Sequence, residues 1–192
     1  MAAPFDEGRR NEITYKLKEG AQMYASQVGM KKVSIDCLVN YAGISKGAFY
    51  KFFSSKDELF LEIVEDWHTE IYSTALCILT ENNDITQKKK ASTALYEAFR
   101  IMDDKKIIEF IKNDLVQLLD NIKETEIFHR YHGDDIHIKE VIKFSGIKLL
   151  VTDDEAVGII KNLAYTLFNS HAKGYWHSQK ILINAICDFI VK

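Results

Sequence analysis

From Val33 to Leu59 the chain reads VSIDCLVNYAGISKGAFYKFFSSKDEL, and this stretch leaves the backbone few options. Ser34, Ser45 and Ser55 each stand where a helix can start, because a serine hydroxyl accepts a hydrogen bond from a backbone N–H two or three residues on. Ile35, Leu38, Val39 and Ala42 form the inward face of a short helix, which Gly43 stops. Ile44 is the expected buried anchor of the turn. The next helix is predicted from Lys46 to about Phe53. Phe49, Phe52 and Phe53 should pack inward, leaving Lys46, Gly47, Ala48, Tyr50 and Lys51 on or near the free side. Ser55-Lys56-Asp57-Glu58 fits a capping box and opens a long helix with Leu59, Phe60, Ile63, Trp67 and Ile71 at helical spacing. Two short helices across a tight turn have the shape of a helix-turn-helix, whose second helix can lie in the DNA major groove.

The rest of the chain is also helical by pattern. It holds one proline and nine glycines in 192 residues, which favours long helices over a turn-rich β architecture. A first helix is predicted from about Glu7 to Val28, with Ile13, Leu17, Ala21, Tyr24 and Val28 on one stripe and Gly29 ending it. Lys31 and Lys32 fall in the exposed link. After the long fourth helix, Glu81-Asn82-Asn83-Asp84 breaks the pattern. Further helices are predicted at 85–101, 104–125, 135–148, 153–175 and 178–191, with 126–135 as a loop or frayed helix end. There are no internal repeats or low-complexity tracts. The expected class is all-α: a head over residues 1–56 and a helical body over 57–192, with helix four as their connection.

Charge is divided between these parts. The whole chain carries −3, but residues 1–56 hold nine Lys/Arg against five Asp/Glu, net +4, and the remainder is −7. A basic head on an acidic body is expected when only the head meets phosphate. Cys37, Cys77 and Cys187 are odd in number and show no CxxC pairing, so they are expected to be buried, reduced thiols. The N-terminal residues lack the apolar core of a signal peptide, and no apolar run reaches the ~20 residues needed to span a bilayer. A soluble cytoplasmic protein with no membrane partner is the expectation.

The first sixty residues resemble the DNA-binding domain of the TetR family of bacterial repressors. The likeness is carried by the helix ending at Val28-Gly29, by Ser34, by Ala42-Gly43-Ile44-Ser45, by Gly47, Tyr50 and Phe53, and by Ser55-Lys56-Asp57-Glu58-Leu59. It covers roughly a third of the chain; the remainder is similar only in helical character and length. The resemblance implies a homodimer that binds a palindromic operator in double-stranded DNA and represses transcription. It also implies a small-molecule effector in the body that releases the DNA. Carried over by position, it places Ser34, Ser45, Tyr50, Lys51 and Lys56 at the DNA, with Ser34, Tyr50, Lys51 and Lys56 on phosphates, and Lys46, Gly47 and Ala48 facing base edges. Ala48 stands where the family often has threonine, Val39 where a small alanine is common, and Lys51 where an aromatic or histidine is frequent. These departures bear on the operator sequence more than on the binding mode.

The body carries weaker signals. Tyr96, Phe99, Met102, Phe110, Phe128, Tyr165 and His171 could line an apolar effector cavity or equally fill a core. The last two helices are apolar over a width greater than one inward stripe requires, which makes Leu163, Leu167, Phe168, Ile183, Ile186 and Ile190 candidates for a dimer interface. His129, His132 and His137 cluster near Asp134 and Asp135, but their spacing is no recognised ligand set, and a polar loop is the simpler account. No cofactor or metal is expected. The chain shows no GxSxG, P-loop, HExxH or dinucleotide fingerprint, so an enzyme is disfavoured. A DNA-binding adaptor whose body recruits a protein partner, with no effector, remains the alternative.

Overall fold

The computed structural model describes residues 6–115, 118 and 134–192. Among these residues the regular structure is helical, apart from an isolated antiparallel bridge between Leu149 and Val191. The chain forms two compact units. The first runs to Asp66 and takes in a later segment beginning at Glu109; the second holds Trp67–Ile108 and the C-terminal part. The first unit therefore extends past the expected boundary at residue 56 and recruits residues distant in sequence.

In the first unit, helix α1 spans Glu7–Val28 and is capped by the Asp6 carboxylate, which accepts from the Arg9 N–H at 2.8 Å. Its buried stripe is Ile13, Leu17 and Ala21, whereas Val28 at its end is exposed. A 3-10 turn, Met30–Lys32, leads to α2, Ile35–Ala42, and α3 follows at Lys46–Phe49. Gly43 takes φ 68° and ψ 36°, a left-handed conformation that closes α2 and that a side chain would strain. Gly20 is buried opposite Tyr41; a Cβ there would come within 2.8 Å of the Tyr41 ring. The turn after α3 is tighter than the sequence predicts. Lys51 and Phe52 donate to the carbonyls of Ala48 and Phe49 at 3.0 and 2.9 Å, so the α-helix proper stops at Phe49. This tightening brings Phe49 and Phe53 into the same core. Helix α4, Lys56–Thr80, contributes Leu59, Phe60 and Ile63 to that core, and Phe60 stacks on Phe110 with ring centroids 5.9 Å apart.

In the second unit, α5 spans Gln87–Asp104. Lys106 takes a positive φ of 57° and redirects the chain into α6, Ile107–Phe110, where the sequence predicts one helix over 104–125. A π turn, Ile111–Leu115, follows and belongs with the first unit. Helices α7, Asp134–Ser145, and α8, Asp153–Tyr165, come next. Thr152 and Glu155 form a reciprocal capping box at the start of α8, a T-x-x-E spacing that the sequence displays and that helix periodicity alone overlooks. The helix predicted over 153–175 instead tightens into a 3-10 turn at Thr166–Asn169. The Thr166 hydroxyl lies 2.6 Å from the Leu163 carbonyl oxygen and 3.0 Å from Gln179 Oε1, drawing the backbone out of α geometry. Helix α9, Tyr175–Ile190, then packs on α5.

Four residues expected at a dimer interface lie inside this unit instead. Leu163, Leu167, Ile183 and Ile190 are buried with Phe99, Ile108 and Cys187, and Ile186 packs partly buried against the same cluster. Each sits at a helical spacing that points inward, so an intramolecular core already satisfies it. Of the six, Phe168 is exposed, together with Tyr165, Ile181, Leu182 and Phe189. The thiols also differ from expectation: Cys187 is buried, whereas Cys37 and Cys77 are exposed.

Candidate nucleic-acid interface

The helix-turn-helix is built from caps inward. Ser34 Oγ accepts from the Cys37 N–H at 3.2 Å and starts α2. Ser45 Oγ accepts from the Ala48 N–H at 3.2 Å and starts α3. Ser55 Oγ accepts from the Glu58 N–H at 3.0 Å, and the Glu58 carboxylate accepts in return from the Ser54 N–H, one residue earlier than a standard box. Those bonds hold the Glu58 carboxyl below its usual value. Beneath the turn, Phe49 is fully buried, with Tyr50 edge-on to it at 5.4 Å and Phe53 at 6.0 Å. This apolar floor anchors α3, which is a single turn.

The residues above the floor are open. Ser34, Ser45, Lys46, Gly47, Tyr50 and Lys51 are exposed, and Ala48 is half-buried. A Cβ on Gly47 would meet nothing within 4 Å, so this position leaves room for a close approach by another molecule. Lys46 Nζ lies 3.1 Å from Asp36 Oδ1 across the α2–α3 pair. Both side chains are more than half exposed, so solvent screens the pair and leaves Lys46 available to a stronger anion. Arg10 reaches the same region: its guanidinium donates to the Lys51 carbonyl at 3.2 Å and sits 5.1 Å from the Phe52 ring centroid. Sequence reasoning does not single out Arg10, because nothing local signals a contact spanning 41 residues.

Lys56 is placed differently from the other lysines. Its Nζ lies 2.9 Å from the Met30 carbonyl oxygen, 3.3 Å from that of Lys31 and 2.9 Å from that of Val33. An ammonium has three N–H donors, and here all three have carbonyl acceptors.

The residues proposed for an effector cavity differ in their surroundings. Phe99 is in the second unit's core, with Tyr96 and Met102 packed at its edge. Phe110 belongs to the first unit, while Tyr165 and His171 are exposed. Phe128, His129 and His132 lie outside the described residues. His137 is described, and its ring lies 5.2 Å from Tyr72 and 6.2 Å from His68. Among the described residues no three His, Cys, Asp or Glu side chains group as a metal site, and no helix is long and apolar enough to cross a membrane.

A capped helix pair with an open, partly basic second helix on an aromatic floor defines a helix-turn-helix DNA-binding regulator. Residues 18–63 match the family profile described as bacterial regulatory proteins, tetR family. The chain is 24% identical over 137 residues to the Bacillus subtilis (strain 168) protein YdgC, an uncharacterized HTH-type transcriptional regulator, covering 64% of this chain and 70% of that one. It is 30% identical over 99 residues to the nucleoid occlusion factor SlmA of Aliivibrio fischeri (strain MJ11), covering 52% of this chain and 49% of the relative. In fold it is similar to a TetR family regulator from Marinobacter aquaeolei VT8, with TM-score 0.64, 13% identity and coverage of 96% and 98% of the two chains. It is also similar to the regulator FadR from Bacillus subtilis, solved with stearoyl-CoA, with TM-score 0.61, 16% identity and coverage of 90% and 96%. Residues 18–63 thus carry the DNA-binding segment of the tetR family of bacterial regulatory proteins, and the likeness of fold to a TetR family regulator extends over nearly the whole chain.

Proposed function

We propose that this chain is a repressor that binds a palindromic operator as a homodimer and is released by a small-molecule effector. The observation that carries the DNA contact is the Ser45–Lys51 segment, with Ser45, Lys46, Gly47, Tyr50 and Lys51 exposed above the buried Phe49 and Phe53. Lys46, Gly47 and Ala48 would face base edges, while Ser34, Tyr50 and Lys51 would hold phosphates and set the register. Two such heads would engage half-sites spaced by about one helical turn or slightly more.

The second copy is supported by the exposed apolar residues Phe168, Ile181, Leu182 and Phe189 on the C-terminal elements, since exposed apolar clusters commonly mark association surfaces. The effector is supported by analogy of fold, FadR having been solved with stearoyl-CoA. Tyr96 and Met102, at the edge of the second unit's core, are the retained candidates for contact with it. The adaptor reading has one observation in its favour: the relative SlmA is named for nucleoid occlusion.

Selection of bound duplexes from a random-sequence pool tests the leading reading. Enrichment of an inverted repeat supports it; a pool that stays random refutes it. On the selected duplex, Lys51→Ala should lower the slope of log K against log salt by about 0.9 for each head. A thermal-shift screen of small metabolites separates effector from adaptor, because a ligand bound to the native state raises Tm by mass action.

A further inference from the structure

The link between α1 and α2 is held from two sides by charged groups. Met30 is buried at its start. Its N–H donates to Asp114 Oδ1 at 3.0 Å, and its carbonyl accepts from Lys56 Nζ at 2.9 Å. Asp114 lies 84 residues further on in the chain, in the π turn Ile111–Leu115, and is itself buried. Gly29 supplies the backbone geometry that enters this turn. It has φ +80°, a conformation side chains rarely adopt, and a Cβ there would stand 3.5 Å from Asp114 Oδ1. Lys56 continues the grip on Lys31 and Val33. The next residue is Ser34, the N-cap of α2, so the placement of this turn sets where α2 begins and hence where α3 sits.

We propose that Asp114 and Lys56 are positioning residues for DNA recognition: they fix the Met30–Val33 turn, and Lys56 acts through these carbonyls instead of on a phosphate. This rests on the reading that the head binds duplex DNA. Hydrogen bonds to charged groups are among the stronger ones, and losing one here lowers the fraction of heads in the binding geometry. Apparent affinity falls in proportion to that fraction.

The test measures anisotropy of a duplex that the wild-type chain selected from a random pool, over about 50 to 300 mM salt. Lys56→Met and Asp114→Ala are expected to weaken binding by about tenfold while keeping the wild-type salt slope. Asp114→Asn, whose amide oxygen can still accept from Met30, should stay within about threefold of wild type. A slope shallower by about 0.9 per head in Lys56→Met would put Lys56 on a phosphate and overturn its assignment. Wild-type affinity in Asp114→Ala would overturn that of Asp114. Should Asp114→Ala not fold, amide exchange at Met30 in the wild-type chain decides: protection is expected, and exchange at the rate of an open turn refutes the clamp. A wild-type chain that selects no duplex would instead remove the DNA reading underneath.

Discussion

Replacing Phe49 by alanine should cost the head a large part of its stability. The ring is fully buried and touches Tyr50 and Phe53 at centroid distances of 5.4 and 6.0 Å. Truncation removes about 150 Å² of buried apolar surface. At about 25 cal/mol per Å² that is about 4 kcal/mol, within the range of roughly 3 to 5 found for such truncations. Amide exchange at Leu17 and Leu38, buried in α1 and α2, reports on opening of this unit. Their exchange should accelerate by about a thousandfold, since each 1.4 kcal/mol is roughly a factor of ten. A change below about 1 kcal/mol in a folded variant would show that the ring is not a core element. An aromatic used to stack on a base would behave oppositely, lowering DNA affinity while leaving exchange unchanged.

Phe189→Glu should yield monomers on a sizing column if the exposed α9 residues face a second copy, whereas Ile183→Glu should unfold the second unit, because Ile183 is already buried within one chain. The Glu58 carboxyl is held low by its bonds from Ser54, so its folded pKa lies below its unfolded value of about 4.3. Its contribution to stability is present above that value and is lost as pH falls through the lower folded pKa; Glu58→Gln should flatten the Tm-against-pH curve in this acidic window. With a thiol reagent at neutral pH, Cys37 and Cys77 should react and Cys187 should not, because burial pushes the Cys187 thiol up to about 11; fast labelling of all three in the native protein would contradict this.

The head was legible in the sequence because its signals are local. A serine cap acts within three residues, Gly43 within one turn, and the apolar stripe of α1 within a few turns, so Ser34, Ser45 and Phe49 could be placed without knowing what they pack against. The body was legible only as helix. Leu163 and Phe168 are both apolar and lie five residues apart, yet one is buried and the other exposed, because at about 3.6 residues per turn that spacing points them roughly 140° apart around a helix. The apolar width of the last two helices alone did not separate residues that fill the core from those left at the surface.

What the chain order alone determined is the all-α class, the capped helix pair and the concentration of positive charge at the amino end, since each arises from short-range backbone preference or from counting. What folding in three dimensions decided is the fate of particular side chains. It brought Asp114 to Met30 and turned Lys56 onto backbone carbonyls. It gave four apolar residues of the C-terminal elements to an internal core and kept others at the surface. Contacts across tens of residues depend on how helices meet, and neither composition nor spacing records that meeting.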